Sequence, residues 1–187
     1  MTGSRIFQIV LIGIVCFSGY YLLVNQEQDV IQVAPNVELP MFTGRHVTNT
    51  NYDLDGIRNY KISSLKLDHY AQSGDTLFDN LIMYVYREGT TEEWQVVSDK
   101  AVLDKNNHLT LMGNVIATNL LPDASFETLT TNKMTIELDS KNFNSDVLVT
   151  LKGPQFVNTG QAMKGNLDDN TAVLFNHVKG IYEKAKP

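Results

Sequence analysis

One cysteine stands in 187 residues, Cys16, so no disulfide can form within the chain and the fold must rest on its core. Histidine is equally sparse. The four present, His46, His69, His108 and His177, lie far apart, none in an H-x-x-x-H or H-E-x-x-H arrangement, which leaves a zinc site without support. Positive charge is short too: 15 Lys and Arg stand against 21 Asp and Glu, a net charge of -6. Nucleic-acid binding needs clustered cations to release counterions, so a nucleic acid is not an expected partner. There is no G-x-S-x-G and no P-loop, and no thiol nucleophile beyond Cys16. Asp53-Leu54-Asp55-Gly56 resembles the start of a calcium loop but lacks the later ligands and the closing Glu, and reads as a turn. Carboxylate pairs such as Glu92-Glu93 sit among polar loop residues, with no sign of the burial that shifts a pKa. Nothing points to an enzyme or a cofactor.

Charge of either sign is thin at 19%, against 43% hydrophobic residues, so the chain can bury a core and wholesale disorder is excluded. The length fits one domain with room for a short extra segment. That segment is at the N-terminus. From Ile6 to Val24 the sequence IFQIVLIGIVCFSGYYLLV carries no charge, and as a helix its 19 residues would extend roughly 28 Å, close to the hydrocarbon thickness of a bilayer. A cleaved signal would end in small residues, whereas this run ends Tyr20-Tyr21-Leu22-Leu23-Val24. The expectation is an uncleaved transmembrane anchor over 6–24. Residues 1–5, with Arg5, are expected on the cytoplasmic side, and the rest outside it. Gly13, Cys16 and Gly19 recur every third residue and would form a small-residue stripe against which another membrane helix can pack. Residues 25–50, polar and holding Pro35 and Pro40, read as a tether entering a domain over 51–187.

Within that domain the hydrophobic period is two. Met134, Ile136 and Leu138 alternate with Lys133, Thr135 and Glu137, and Val147, Val149 and Leu151 with the mixed set Leu148, Thr150 and Lys152, so the domain is expected to be all-β. A weak repeat is anchored on Leu67-Asp68, Leu103-Asp104, Leu138-Asp139 and Leu167-Asp168, each Leu ending a strand and each Asp opening a polar turn. Stacked strand pairs of this kind give an elongated sandwich or roll. Two stretches, Leu81–Tyr86 and Leu109–Ile116, are apolar at both parities. They are expected either to be covered twice or to line something apolar.

Motifs in unbroken order then point to a family. They are W-x-V-x-S-D-K-A-x-L from Trp94, L-x-L-x-G-N-V from Leu109, L-L-P-D from Leu120, L-T-T-N from Leu129, D-V-L-V-T-L-K-G from Asp146 and G-Q-A-M-K-G-N-L from Gly160. Together with the anchor, the chain closely resembles the LptC family, bitopic inner-membrane components of the Gram-negative lipopolysaccharide export machine. The resemblance implies a twisted, open β-jelly-roll of two antiparallel sheets in the periplasm, non-enzymatic, with no cofactor. Its interior would receive the acyl chains of lipopolysaccharide from the ABC transporter LptB2FG and pass them to LptA.

By position in the motifs, the resemblance implies Val47, Phe78, Met112 and Ala172 as groove residues. Gly153 and Tyr182 would lie at the LptA-facing end, where the last strand, roughly Thr171–Tyr182, offers an edge for β-augmentation. The anchor stripe Gly13, Cys16 and Gly19 would face the transporter's membrane helices. A different class of function stays open at this point: an anchored scaffold that joins its partners by strand pairing and carries no lipid. On the sequence alone, Gly153→Arg is expected to leave the domain folded and to impair docking of LptA, read by co-purification.

Overall fold

The computed structural model describes residues 17, 18, 20, 38–122 and 124–182. The chain divides into two units, Met1–Val37 and Glu38–Pro187. In the first, Phe17, Ser18 and Tyr20 are helical. The remainder of the predicted anchor, including Gly13, Cys16 and Gly19, lies outside the described residues. No helix among the described residues is long and apolar enough to cross a membrane.

The second unit is all strand and turn. Its strands are β1 (Phe42–Tyr52), β2 (Arg58–His69), β3 (Thr76–Arg87), β4 (Thr91–Leu103), β5 (His108–Asn119), β6 (Thr128–Glu137), β7 (Asn142–Ser145), β8 (Val149–Gly153), β9 (Phe156–Gly160), β10 (Ala162–Asn166), β11 (Thr171–Phe175) and β12 (Lys179–Tyr182). β1 falls within the stretch whose polar composition reads as a tether. An edge strand with one neighbour needs few apolar residues, which hides it from a composition-based boundary. The expected final strand is likewise two strands, β11 and β12, separated at Asn176 and His177, both with φ near +60°.

All pairings are antiparallel, and β1 to β6 follow one another as a meander. The sheet then divides. The first half of β6 (Thr128–Thr131) pairs with β8, which leads on to β9 and β12; its second half (Thr135–Ile136) pairs with β7, which leads on to β10 and β11. The two expected sheets are thus two layers of one 12-stranded sheet folded over on itself.

The fold line is built into every long strand. In β2, β3, β4 and β6 the buried positions step by three where a regular strand steps by two: Ser64 to Leu67, Phe78 to Leu81, Ser98 to Ala101 and Thr131 to Met134. A one-residue slip inside a strand would normally turn its apolar face outward, so the extra residue must be absorbed as a bulge that bends the strand. His46 (φ 51°), Asn80 (φ 52°) and Asn114 (φ 45°) take up the left-handed conformation at this level, with Gly113 beside Asn114. Asn tolerates that region better than most residues.

On the inner side of the crease the ladder breaks and carbonyls need other donors. Short hydroxyl side chains supply them: Ser98 donates to Lys100 O (3.0 Å), Thr131 to Leu148 O (2.9 Å) and Ser145 to Lys133 O (2.8 Å), all four-fifths or more inside the fold. The expected strand from Val147 breaks here for the same reason. Asp146–Leu148 is the crease between β7 and β8, and Leu148 faces solvent.

The Leu-Asp repeat marks the opposite rim. Leu67, Leu138 and Leu167 are buried, and Asp104, Asp139 and Asp168 belong to the turns that follow their strands, whereas Asp68, expected to open a turn, is still in β2, paired with Thr43 and Leu77. Asp104 accepts the backbone N–H groups of Asn106 (2.8 Å) and His108 (3.0 Å), an Asx turn. Successive turns are then joined. Leu138 N donates to Asn107 O (3.0 Å), Asn107 Nδ2 reaches Asp139, and Leu167 N donates to Lys141 O (3.0 Å), so the rim is a staircase of turns.

Two expectations follow from this architecture. Replacing Asn80 by Val should lower stability by about 1–2 kcal/mol through left-handed strain, while Asn80→Gly should be neutral or stabilising; urea unfolding midpoints compare the two. The carboxyls of Asp104, Asp68, Asp146 and Glu137 are held below their ordinary range. For Asp104 the main cause is the His108 backbone N–H, for Asp68 the Lys66 ammonium, for Asp146 that of Lys133, and for Glu137 the Ser140 hydroxyl. The unfolded chain therefore binds protons first on acidification. The stability these groups add is present above the ordinary carboxylate range and is lost as pH falls through the lowered values. Thermal midpoints measured downward from pH 5 should fall, and Asp104→Ala should flatten that fall.

Candidate functional site

Between the two layers runs one apolar core. It includes Ile62, Met83, Trp94, Val96, Leu111, Leu129, Met134 and Met163, all at or below 5% exposure, and it is continuous from β2 to β10. The partly buried residues packed against it lie mainly toward the sheet edges: Val47 and Tyr60 on β1 and β2, and Phe156, Ala172 and Leu174 on β9 and β11. Burial raises the pKa of Tyr60, with a further contribution from the Asp139 charge on the β6–β7 turn. Apolar chains are the chemistry such an interior accepts, at about 0.8 kcal/mol for each CH2 removed from water.

The structure brings three of the four expected groove residues to this interior. Phe78 is buried within the core, and Val47 and Ala172 pack against it from β1 and β11. Met112 is not with them. It alternates with the fully buried Leu111 and pairs across the ladder with Lys100 and Lys133, on the outer face. The doubly apolar stretches resolve in the same way. Leu81, Met83, Val85, Leu109, Leu111 and Val115 point inward, whereas Ile82, Met112 and Ile116 are 36–40% exposed on the outside of the sandwich. Of the second apolar face only Tyr86 is buried, outside the core cluster, so it is the first face that lines the interior.

At the C-terminal end, among the described residues, β11 pairs only with β10 and β12 only with β9, so both leave an open edge. Val173, Phe175, Ile181 and Tyr182 are exposed there. Tyr182 lies with its ring 6.3 Å from that of Phe156. Gly153 pairs with Phe156 across the β8–β9 hairpin, and a Cβ at Gly153 would overlap the Phe156 ring. An arginine there must displace that ring, so Gly153→Arg acts on the fold locally as well as on the edge. The expectation of an undisturbed domain is corrected accordingly.

A polar clamp across the rim was not legible as such. Glu93, read from sequence as a loop carboxylate, is in β4 and 1% exposed. Arg87 binds it with two nitrogens, and Asn170 from the β10–β11 turn donates to Glu93 Oε1 (2.7 Å). Asn119 of β5 donates to Asn170 Oδ1 (2.8 Å), and the Trp94 indole N–H donates to Leu167 O (2.9 Å) while its ring packs on Phe126. These contacts join the ends of β4 and β5 in one layer to the β10–β11 turn of the other. The signal available was the single Trp, whose polar edge needs a partner when buried.

Comparison with known proteins agrees with this geometry. The profile of the family described as "Lipopolysaccharide-assembly, LptC-related" matches residues 9–183. A protein of Haemophilus influenzae named "Lipopolysaccharide export system protein LptC" is 28% identical, over 95% of this chain and 94% of its own. Its namesake in Escherichia coli K12 is 26% identical, over 98% and 96%. Among solved structures, LptH of Pseudomonas aeruginosa, described as the LptA-homologous periplasmic component of a lipopolysaccharide transport device, shares the fold with a TM-score of 0.53 at 6% identity. The alignment covers 67% of this chain and 95% of that one. Motif order, the creased two-layer sheet and a profile match along nearly its whole length agree: the chain belongs to the LptC family.

Proposed function

We propose that this chain is a non-enzymatic carrier in lipopolysaccharide export. It is anchored in the inner membrane through residues 6–24, with its β domain in the periplasm. It receives lipopolysaccharide from the LptB2FG transporter and passes the acyl chains along the interior between its two layers to LptA, which docks at the β11 and β12 edges. Gly13, Cys16 and Gly19 face the transporter's membrane helices in this reading, and Gly153 and Tyr182 belong to the LptA-facing end. The observation that carries the proposal is the continuous apolar interior whose cover thins toward unpaired edge strands, with Val47 at one side and Ala172 at the other.

One observation favours a second reading. Leu109, Leu111, Val115, Ile136 and Met163 have no measurable exposure, so the interior is filled by the protein's own side chains. A scaffold that holds transporter and LptA together without touching lipid would have such a core. Carriage requires the layers to part or the side chains to yield, and filled interiors resist both.

A photo-crosslinking residue decides between them. Placed at Phe78 or Ala172 in the full chain with working transporter and ATP, it should form a lipopolysaccharide adduct, whereas at the outward Met112 it should form little. Equal yields at all three positions, or none at Phe78 and Ala172, favour the scaffold. For the docking end, Tyr182→Asp should reduce LptA co-purification while leaving the thermal midpoint within about 2 °C, since the side chain is 74% exposed. Unchanged co-purification would remove β12 from the interface.

A further inference from the structure

Basic side chains are scarce in this chain, yet the register gathers several on the outer side of the crease. Arg45 pairs with Lys66, Lys66 with Asp79 and Asp79 with Lys100, one residue per strand along a single outward row. Cross-strand neighbours lie ~5 Å apart, so the row spans roughly 15 Å. Lys66 is held by Asp68 (2.5 Å), but among the described residues Arg45 and Lys100 form no ion pair. The row lines a cleft of about 470 Å³, with Asp99 on its wall.

A second cleft of about 450 Å³ adjoins it, sharing His46, Leu65 and Asn80. Its walls include Val47, Leu65 and Ile82, the last two 48% and 40% exposed. Ser64 also lines it, and its buried hydroxyl has no hydrogen-bond partner. The corresponding crease hydroxyls of Ser98, Thr131 and Ser145 all have one. A charged cleft and an apolar shelf with an unused hydroxyl thus meet at the left-handed bulges of β1 and β3.

We propose that this outer crease binds a phospholipid-type head in which a phosphate stands beside an ammonium, with the start of an acyl chain on the shelf of Val47, Leu65 and Ile82. The mixed charge decides the class of head. A head bearing only negative charge meets Asp79 in the middle of the row, and one bearing only positive charge meets Arg45, Lys66 and Lys100. A phosphate near Arg45 and Lys100 with an ammonium near Asp79 and Asp99 is complementary to both signs. The combined volume lies within the usual range for ligand sites. The charged row of Arg45, Lys66, Asp79 and Lys100 is outward, whereas Val47 and Ser64 of the shelf also border the core, so it is the head contact with the row, and not the shelf, that is independent of acyl chains passing through the interior.

The test uses the full chain in dodecyl maltoside, with Cys16→Ser and a solvatochromic dye on Thr48→Cys at the apolar cleft. Titration with dioctanoyl-phosphatidylethanolamine should give a saturable shift, about fivefold tighter than dioctanoyl-phosphatidylglycerol, and Arg45→Gln with Lys100→Gln should weaken it about fivefold. Both substituted residues are exposed, so the thermal midpoint should not move. An equal response to dioctanoylglycerol, or a response unchanged in the double variant, would show an apolar depression only and overturn the proposal. Displacement of the bound dioctanoyl-phosphatidylethanolamine by purified lipopolysaccharide would overturn the assignment to a mixed-charge phospholipid head, and its retention in the presence of lipopolysaccharide supports it. A lost response at this site with intact Phe78 adducts would sink this proposal alone.

Discussion

Every long strand of this domain has to cross the same crease and keep its apolar side inward on both sides of it. Strand geometry alternates side chains strictly, so β2, β3, β4 and β6 do this by inserting one residue at the bend, and β5, whose buried Leu111 and Val115 are four apart, by a wider bulge at Gly113 and Asn114. The insertion is made at one level across the sheet, and it is chemically maintained: left-handed Asn or His on β1, β3 and β5, and Ser-x-Lys or Thr-x-Lys on β2, β4 and β6. Remove one bulge residue and half a strand would present Leu and Met to water and its polar partners to the core. Both layers, the core between them and the rim clamp presuppose that alignment.

The motifs that identify the family sit largely on this line. S-D-K of β4, G-N-V of β5, T-T-N of β6 and the Asp-Val after β7 are all crease residues. Their sequence signal comes from local backbone demands, which explains why short motifs could be so specific while naming no ligand. The turn chemistry of the Leu-Asp repeat was legible for the same reason, since an Asp that bonds backbone two or four residues on is a local device. Other features depend on partners far away in sequence. Glu93 is buried because Arg87 and Asn170 neutralise and saturate it, and neither partner is visible from a Glu-Glu pair. The outward Ile82, Met112 and Ile116 looked like groove lining because alternation alone does not say which face is inside.

The interior combines two properties that pull against each other. Its residues pack as tightly as any structural core, yet the cover thins mainly toward the edge strands. Close packing through the middle stabilises the domain without a disulfide, and the thinly covered edges are where apolar surface can be continued by another β-protein. The clamp of Glu93, Asn170 and Trp94 lies between these regions and ties the two layers where β4 and β5 meet the β10–β11 turn. Parting the layers there would strand a carboxylate and an indole N–H away from their partners, whereas among the described residues no comparable polar contact ties β1 to the other layer.

The two ends of the sheet are also unlike in kind. At one end β1 is a single edge of 11 residues that runs across the crease, and at the other the edge is split between β11 and β12, of five and four residues. A joint between unlike edges has no two-fold axis, so it is heterologous and leaves one of each edge unused. Units joined in this way are added head to tail. An assembly built through such joints therefore has a direction, set by strand connectivity before a ligand or an energy source is involved.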